Sequence, residues 1–94
     1  MDLERIFDLV ADKQSAPNKF TIEMGKKVRA ARAEAGMTQG SLAEMVGRRQ
    51  ATISDIEHGK KEMGLSTLVL IAAALNKPIS YFLPGEIANY DESS

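Results

Sequence analysis

The stretch of the chain that decides its fold is MTQGSLAEMVGRRQATISDIEHGK, from Met37 to Lys60. Apolar residues recur in it at helical spacing in two groups that each end at a glycine: Leu42, Ala43 and Val46 before Gly47, and Ile53 and Ile56 before Gly59. Glycine just past a helix end allows the left-handed conformation that closes the last turn. The stretch therefore predicts two short helices, Gln39 to Val46 and about Gln50 to His58, joined by a tight turn.

Such a pair of helices can present the start of its second helix to base edges in the major groove of DNA. Gln50 is the strongest candidate reader, because its amide can pair with N6 and N7 of adenine. The methyl group of Ala51 can pack on the thymine methyl group, and Thr52 is a candidate for either base or phosphate contact. The first interpretation of this stretch is thus a reader of double-stranded DNA.

Several polar side chains around the second helix are candidates for phosphate contacts. Gln39 opens the first helix of the pair, where free N–H groups and the helix dipole favour a phosphate. The remaining candidates are Arg48, Arg49, Ser54, His58, Lys60 and Lys61. Phosphate contacts position a protein on DNA without specifying sequence. The alternative is a solubilising surface for the basic residues and a contact with helix carbonyls for His58.

The charge of the chain is concentrated where this interpretation needs it. The net charge is −1, but residues 18–61 carry nine basic and five acidic side chains. Residues 1–17 carry two basic and four acidic side chains, and residues 62–94 carry one and four. A local positive excess is the electrostatic footprint expected of a phosphate-binding surface.

A larger set of spaced positions points to a family. They are Met24, Gly25, Arg29, Arg32, Gly36 to Gln39, Leu42 to Glu44, Gly47, Thr52 to Ser54, Ile56, Glu57, Gly59, Lys60, Leu68, Ile71, Leu75, Ile79, Phe82 and Leu83. In these positions the chain resembles the Cro/repressor-type helix-turn-helix domains of temperate-phage repressors and many bacterial regulators. The resemblance implies a compact, all-α, five-helix DNA-binding domain.

The resemblance also implies roles for particular residues. It places base contacts at Gln50, Ala51 and Asp55, a backbone clamp at Gln39, and an interior ion pair between Arg32 and Glu57. An acid at Asp55 replaces a residue that is often basic or amide-bearing, and it could accept a hydrogen bond from cytosine N4.

Two further departures from the family pattern lie in the turn. Arg48 stands where the family usually has an apolar residue, and Arg49 stands where it has a small hydroxyl cap. Both changes are expected to weaken the local structure while adding positive charge.

The chain divides into three parts on its pattern. Residues 1–17 hold an apolar stripe, Leu3, Ile6, Phe7 and Val10, that predicts an amphipathic helix followed by a polar linker with Pro17. Residues 18–85 hold the helix-turn-helix domain, with further helices from a cap at Thr21 to about Ala35, from Leu65 to Leu75, where an apolar run predicts a central buried helix, and from Ile79 to Leu83. Residues 86–94 form a polar tail.

Composition narrows the remaining functions. The chain has no cysteine and a single histidine, so neither a thiolate metal site nor a histidine cluster is available. No nucleophile–base set or phosphate-binding glycine loop is present, so the sequence predicts no enzyme, cofactor or small-molecule substrate. The longest apolar run is far shorter than the ~20 residues of a membrane span, and the acidic start does not resemble a secretory signal. We expect a cytoplasmic protein without membrane contact.

The leading functional hypothesis is a sequence-specific transcriptional regulator, most simply a repressor. One short helix covers few base pairs, so a homodimer on paired half-sites is expected. The N-terminal stripe is predicted to contribute to that dimer beside Tyr81, Phe82 and Leu83, with packing on its own domain as the alternative. The competing hypotheses are the antitoxin of a toxin–antitoxin pair and a protein-interaction adaptor.

Overall fold

The structure is a computed structural model that describes residues 18–85, which form five α-helices and no strand. The helices are α1, Lys19–Glu34; α2, Gln39–Val46; α3, Gln50–Glu57; α4, Leu65–Ala74; and α5, Ile79–Phe82. This architecture confirms the predicted all-α domain of five helices. The predicted N-terminal helix and the polar tail lie outside the described residues. Within residues 18–85, no helix combines the length and the apolar character that crossing a membrane requires.

Helix α1 begins earlier than the sequence predicts. Its N-cap is Asn18, whose Oδ1 accepts hydrogen bonds from the backbone N–H groups of Phe20 at 2.9 Å and Thr21 at 3.0 Å. Thr21 is buried in the first turn. The assignment of the cap to Thr21 was wrong because Asn and Thr are both good caps, and the pattern does not show which of them faces the free N–H groups.

The turn between α2 and α3 has the tight geometry that its glycine predicts. Gly47 adopts a φ of +67°, and the next N–H, that of Arg48, donates to the carbonyl of Ala43 at 2.9 Å. This pattern satisfies a carbonyl that the end of α2 would otherwise leave free. At the other end of α2, Thr38 Oγ1 accepts from the N–H of Ser41 at 3.0 Å. Both ends of the helix are therefore fixed locally.

One apolar core holds the five helices together. Its largest fully buried side chains are Val28 on α1, Leu42 on α2, Ile53 and Ile56 on α3, Ile71 on α4 and Phe82 on α5. Of the predicted dimer region Tyr81, Phe82 and Leu83, the Phe82 side chain is fully buried and is not available to a second copy. It fills the core of its own domain instead.

Helix α4 is buried on one side only, although its apolar sequence predicts a central buried helix. Leu68, Ile71 and Ala72 face the core, but Leu65 is 74% exposed, Val69 43% and Leu70 40%. A helix that is apolar all round carries no period, so its sequence does not reveal which side the domain buries. We refer to the exposed side chains Leu65, Val69 and Leu70 as the α4 face.

Candidate nucleic-acid interface

Helix α3 separates its residues into an inner and an outer side. Ile53, Ile56 and Glu57 are buried against the domain, while Gln50 and Ala51 are exposed at the start of the helix. Thr52, Ser54 and Asp55 are partly exposed. The outer side therefore groups the predicted base-reading residues near one helix end, where a ligand in solution can reach them.

The start of α3 lies against the start of α2. The side-chain oxygen of Gln50 is 3.5 Å from the point where a Cβ on Gly40 would lie. Thr38 was not among the predicted site residues, although a threonine directly before a predicted helix is a signal for an N-cap. Thr38 and Ser41 are exposed, and their hydroxyl oxygens are 3.0 Å apart. Two helix starts and their polar side chains thus form one surface.

An ion pair fixes α3 to α1 beneath this surface. Arg32 Nε donates to Glu57 Oε2 at 2.6 Å, and a second guanidinium nitrogen donates to Oε1 at 3.0 Å. Arg32 also donates to the carbonyl of Met37 at 2.7 Å. The side chain of Glu57 is only 2% exposed and that of Arg32 15%, so the carboxylate is shielded from water and the guanidinium is shielded in part. A bidentate arginine–carboxylate pair is geometrically specific, and this one sets the position of α3.

Gln39 belongs to the same network. Its Nε2 donates to Glu57 Oε1 at 3.1 Å. The structure thereby brings the predicted clamp residue into contact with the predicted ion pair, and the amide oxygen of Gln39 is the end left for an outside ligand. A shift of the ion pair would consequently move the start of α2.

The network also sets the charge of Glu57. Burial by itself raises the pKa of this carboxyl, but hydrogen bonds from Arg32 and Gln39 and the nearby positive charge outweigh burial and leave the pKa below its ordinary value. The hydrogen bond to Glu57 in turn raises the pKa of Arg32. Both side chains are therefore charged at neutral pH.

The close approach of α1 to α3 depends on a glycine. A Cβ on Gly25 would lie 2.1 Å from the carbonyl oxygen of Ile56, a backbone atom that cannot rotate away. Gly25 is buried inside α1, where an alanine would otherwise be the better helix former. We refer to Gly25 and Arg32 of α1 with Ile56 and Glu57 of α3 as the α1–α3 junction.

Arg48 makes contacts within the domain. Its Nε donates to Thr67 Oγ1 at 3.2 Å, and another guanidinium nitrogen lies 3.3 Å from the carbonyl oxygens of Val46 and Gly47. A cation at these carbonyls complements the negative end of the α2 dipole. The arginine in the turn thus links α2 to α4, which offsets the loss of an apolar residue there. These contacts lie within the fold, and the predicted phosphate contact of Arg48 would be made in addition to them.

The other predicted phosphate residues lie around α3. Arg49 is the N-cap of α3 and makes no side-chain cap hydrogen bond. Arg49, Lys60 and Lys61 are exposed. His58 Nδ1 is 2.7 Å from the carbonyl oxygen of Ser54, so the histidine meets a carbonyl of its own helix. Among residues 18–85, no group of three or more His, Asp or Glu side chains could hold a metal ion.

The fold and these residues have counterparts in known proteins. The helix-turn-helix family model matches residues 28–82. An uncharacterized HTH-type transcriptional regulator of Sinorhizobium medicae is 33% identical over 78 residues, which are 80% of this chain and 56% of that relative. The chain thus spans about half the length of the curated relative it matches.

Solved structures share the same fold. The P22 c2 repressor, in complex with a synthetic operator, is 32% identical, with a TM-score of 0.63 over 66% of this chain and 94% of the repressor. Part of the hydroxypropylphosphonic acid epoxidase of S. wedmorenis is also similar, with 24% identity and a TM-score of 0.65 over 69% of this chain and 35% of the epoxidase. The second likeness concerns the fold alone, since the fold occurs there within a larger enzyme.

Proposed function

Because the chain belongs to the helix-turn-helix family, we propose that it is a sequence-specific, DNA-binding regulator of transcription that acts as a repressor. In this proposal the helix from Gln50 to His58 enters the major groove of double-stranded DNA, and the protein binds as a homodimer. The P22 c2 repressor, a relative at 32% identity, is bound to an operator in its structure. A protein with this role works on chromosomal DNA and therefore in the cytoplasm.

The observation that carries the proposal is the exposed outer side of α3 on a fixed inner side. Gln50 and Ala51 are open to solvent, while Glu57, one helix length away, is locked to Arg32. A reading helix must hold its side chains in register with base edges, and a rigid support removes the cost of ordering them on binding. The buried ion pair supplies such a support.

Different residues have different tasks in this proposal. Gln50 reads a base through its amide, Ala51 packs on a thymine methyl group, and Thr52 and Asp55 lie next along the groove. Phosphate contacts come from Gln39, Arg49, Ser54, His58, Lys60 and Lys61. Arg48 is a further phosphate contact in this proposal, and its hydrogen bond to Thr67 and its approach to helix carbonyls hold the guanidinium beside α3.

The homodimer is supported by the α4 face. Leu65 and Val69 are four residues apart on one side of α4, and both are exposed. Exposed apolar patches of this kind mark interaction sites in soluble proteins. A helix of eight residues reads few base pairs, so a second copy supplies the second half-site.

A selection from random duplex DNA with the full chain tests the proposal. We expect enrichment of a two-fold symmetric site whose halves lie about 10 base pairs apart, one turn of the double helix. Enrichment of a single half-site would support DNA reading and contradict the homodimer. Failure to enrich any sequence at low salt would contradict DNA reading itself.

Two variants then separate reading from positioning. Gln50→Ala should relax the preference at one base position, with a loss of about 1–3 kcal/mol on the preferred site. Arg49→Ala, its neighbour, should weaken all sequences alike and reduce the salt dependence by about one phosphate contact. Identical sequence profiles for wild type and Gln50→Ala would remove Gln50 from the reading role.

The α4 face also favours a second candidate, a protein-interaction role such as the antitoxin of a toxin–antitoxin pair. An antitoxin would bind DNA and would also present an apolar surface to its toxin. Co-purification of the full chain with the product of an adjacent gene would favour this role. A homodimer that buries the α4 face by itself would leave no surface there for a toxin.

A further inference from the structure

An apolar groove lies between the start of α1 and the segments that follow α3 and α5. It has a volume of about 190 Å³ and is walled by Phe20 and Met24 of α1, by Met63 after α3, and by Leu83 and Pro84 after α5. Lys61 and Glu62 stand in its lining as the charged members. Lys61 is the only proposed DNA contact in this lining, and the α4 face does not share it, so the apolar walls have no role in the proposed function.

The wall formed by Leu83 and Pro84 is held in place. Lys27 Nζ donates to the carbonyl oxygen of Leu83 at 2.9 Å, and Glu23 accepts a hydrogen bond from the N–H of Gly85 at 2.9 Å. Pro84 is buried between them. The groove is therefore a preformed site, which can bind an apolar segment without first being ordered.

We infer that this groove is the docking site for the apolar stripe Leu3, Ile6, Phe7 and Val10 of the same chain. The stripe has the i, i+3, i+4, i+7 spacing of one helix side, and helix-in-groove binding uses anchors at this spacing. Phe7 is the largest of the four anchors. The stripe and the groove thus complement each other in chemistry.

The groove lies close to the point where residues 1–17 join the domain, which favours the N-terminal stripe as its occupant. Asn18, the first described residue, itself lies in the groove lining, and Val10 precedes it by only eight residues. The linker of residues 12–17 can extend to about 20 Å, which is enough for the stripe to turn back over the groove. A short tether gives the attached segment an effective concentration of about millimolar, which favours it over a second copy.

The other end of the described residues offers a poorer occupant. The C-terminal residues 86–94 also follow a groove wall, but they contain only Ile87 and Tyr90 as large apolar side chains. Two anchors cannot form the four-residue stripe that fits an apolar groove.

Disulfide trapping in the full chain tests the inference, because the natural sequence contains no cysteine. We expect Ile6→Cys combined with Met63→Cys, which keeps the largest anchor Phe7, to form an intrachain disulfide about tenfold faster than a matched control, since docking holds the two sulfurs near bonding distance. The control is Arg5→Cys with Met63→Cys, which has the same tether but a cysteine on the opposite side of the predicted helix. Equal rates for the two pairs would overturn the inference.

The same chains distinguish the second copy as occupant. Chains carrying Ile6→Cys alone are mixed with chains carrying Met63→Cys alone, and disulfide-linked dimers are measured on a non-reducing gel. We expect few such heterodimers. If they form as fast as the intrachain disulfide, the stripe docks on a second copy and the inference is wrong.

A measurement without cysteines covers the case in which the trapping variants unfold. In the full chain, Phe7→Ser should shift the amide resonances of Phe20, Thr21 and Met63, while those of Leu65 and Val69 on the α4 face stay in place. Arg5→Ser serves as the control and should leave the groove resonances unchanged. Groove resonances that are identical in wild type and Phe7→Ser would contradict docking.

Discussion

The α1–α3 junction and the α4 face are the two surfaces of this domain that differ most. At the junction, a glycine, a bidentate ion pair and a glutamine amide all find their partners inside one domain. No buried side-chain nitrogen or oxygen among residues 18–85 lacks a hydrogen-bond partner. The α4 face differs, because it leaves apolar side chains in contact with water: Leu65 is 74% exposed, Val69 43% and Leu70 40%.

The two regions are expected to affect different properties of the protein, namely folding stability and association. The groups at the junction all have their partners within the domain, so their interactions stabilise the fold and hold α3 in place. Apolar area on the α4 face remains in contact with water, and covering it would release about 25 cal/mol per Å². Substitutions at the junction should therefore act on the free energy of unfolding, and substitutions on the α4 face should act on association.

The largest effect is expected from breaking the ion pair. Arg32→Met and Glu57→Leu should each lower the free energy of unfolding by about 3–5 kcal/mol, because each leaves a buried charge without its partner. The double variant should recover much of that loss, since it removes both charges at once. Urea denaturation of the four proteins measures the cycle.

Recovery in this cycle should remain incomplete. The Met37 carbonyl loses the hydrogen bond from Arg32, and Gln39 loses its acceptor on Glu57. Strictly additive losses would show that the two side chains do not depend on each other. That outcome would contradict the conclusion that Arg32 and Glu57 stabilise the domain by pairing with each other.

Much of the fold could be predicted from the sequence because its signals are local. The bounds of α2 and α3 follow from apolar spacing and from Gly47, and the structure places both helices within a residue of the prediction. The start of α1 was misassigned because two capping residues, Asn18 and Thr21, lie three positions apart. The exposure of α4 was missed because an all-apolar helix looks buried whatever covers it.

The candidate site was harder to predict because its contacts span long distances in the chain. Arg48 meets Thr67, which lies 19 residues later, and no local pattern distinguishes that hydrogen bond from a phosphate contact. The contact of Gly25 with the Ile56 carbonyl also depends on how α1 crosses α3. The pairing of Arg32 with Glu57 could be proposed from the family resemblance, whereas the role of Gln39 in it could not.

A smaller effect is expected from filling the close approach at the junction. Gly25→Ala should destabilise the domain by about 1–3 kcal/mol, because the new Cβ meets the Ile56 carbonyl and forces α1 away from α3. Gly40→Ala is the matched control. Its Cβ would meet nothing closer than 3.5 Å, and alanine is the better helix former there.

Thermal unfolding of both variants measures this contrast. Gly40→Ala should be as stable as the wild type or slightly more stable. Equal melting temperatures for Gly25→Ala and Gly40→Ala would mean that the helices can separate at the junction without cost. The junction would then be no tighter than the rest of the domain.

Acid should weaken the junction more gently than a substitution. The pKa of Glu57 lies below its ordinary value of 4.5, so the folded state binds the proton less readily than the unfolded state does. The resulting stabilisation is complete above the ordinary pKa and is lost as the pH falls through the lower, folded value. Unfolding by urea between pH 6 and about pH 3 measures it. The Arg32→Met, Glu57→Leu double variant should lose less stability over this range, and an identical loss would assign the acid sensitivity to other carboxyl groups.

The smallest effect on domain stability is expected at the α4 face. Leu65→Lys and Val69→Lys should change the free energy of unfolding of the dilute protein by no more than about 0.5 kcal/mol, because both side chains are already exposed. The same changes should weaken self-association, since a charge in an apolar interface loses its water without gaining a partner. Ala30→Lys, on the exposed side of α1, adds the same charge away from the face.

Sedimentation equilibrium should show dissociation for the two α4 variants and none for Ala30→Lys. If Leu65→Lys and Val69→Lys associate as tightly as the wild type, the second copy binds elsewhere. The α4 face would then have no role in association.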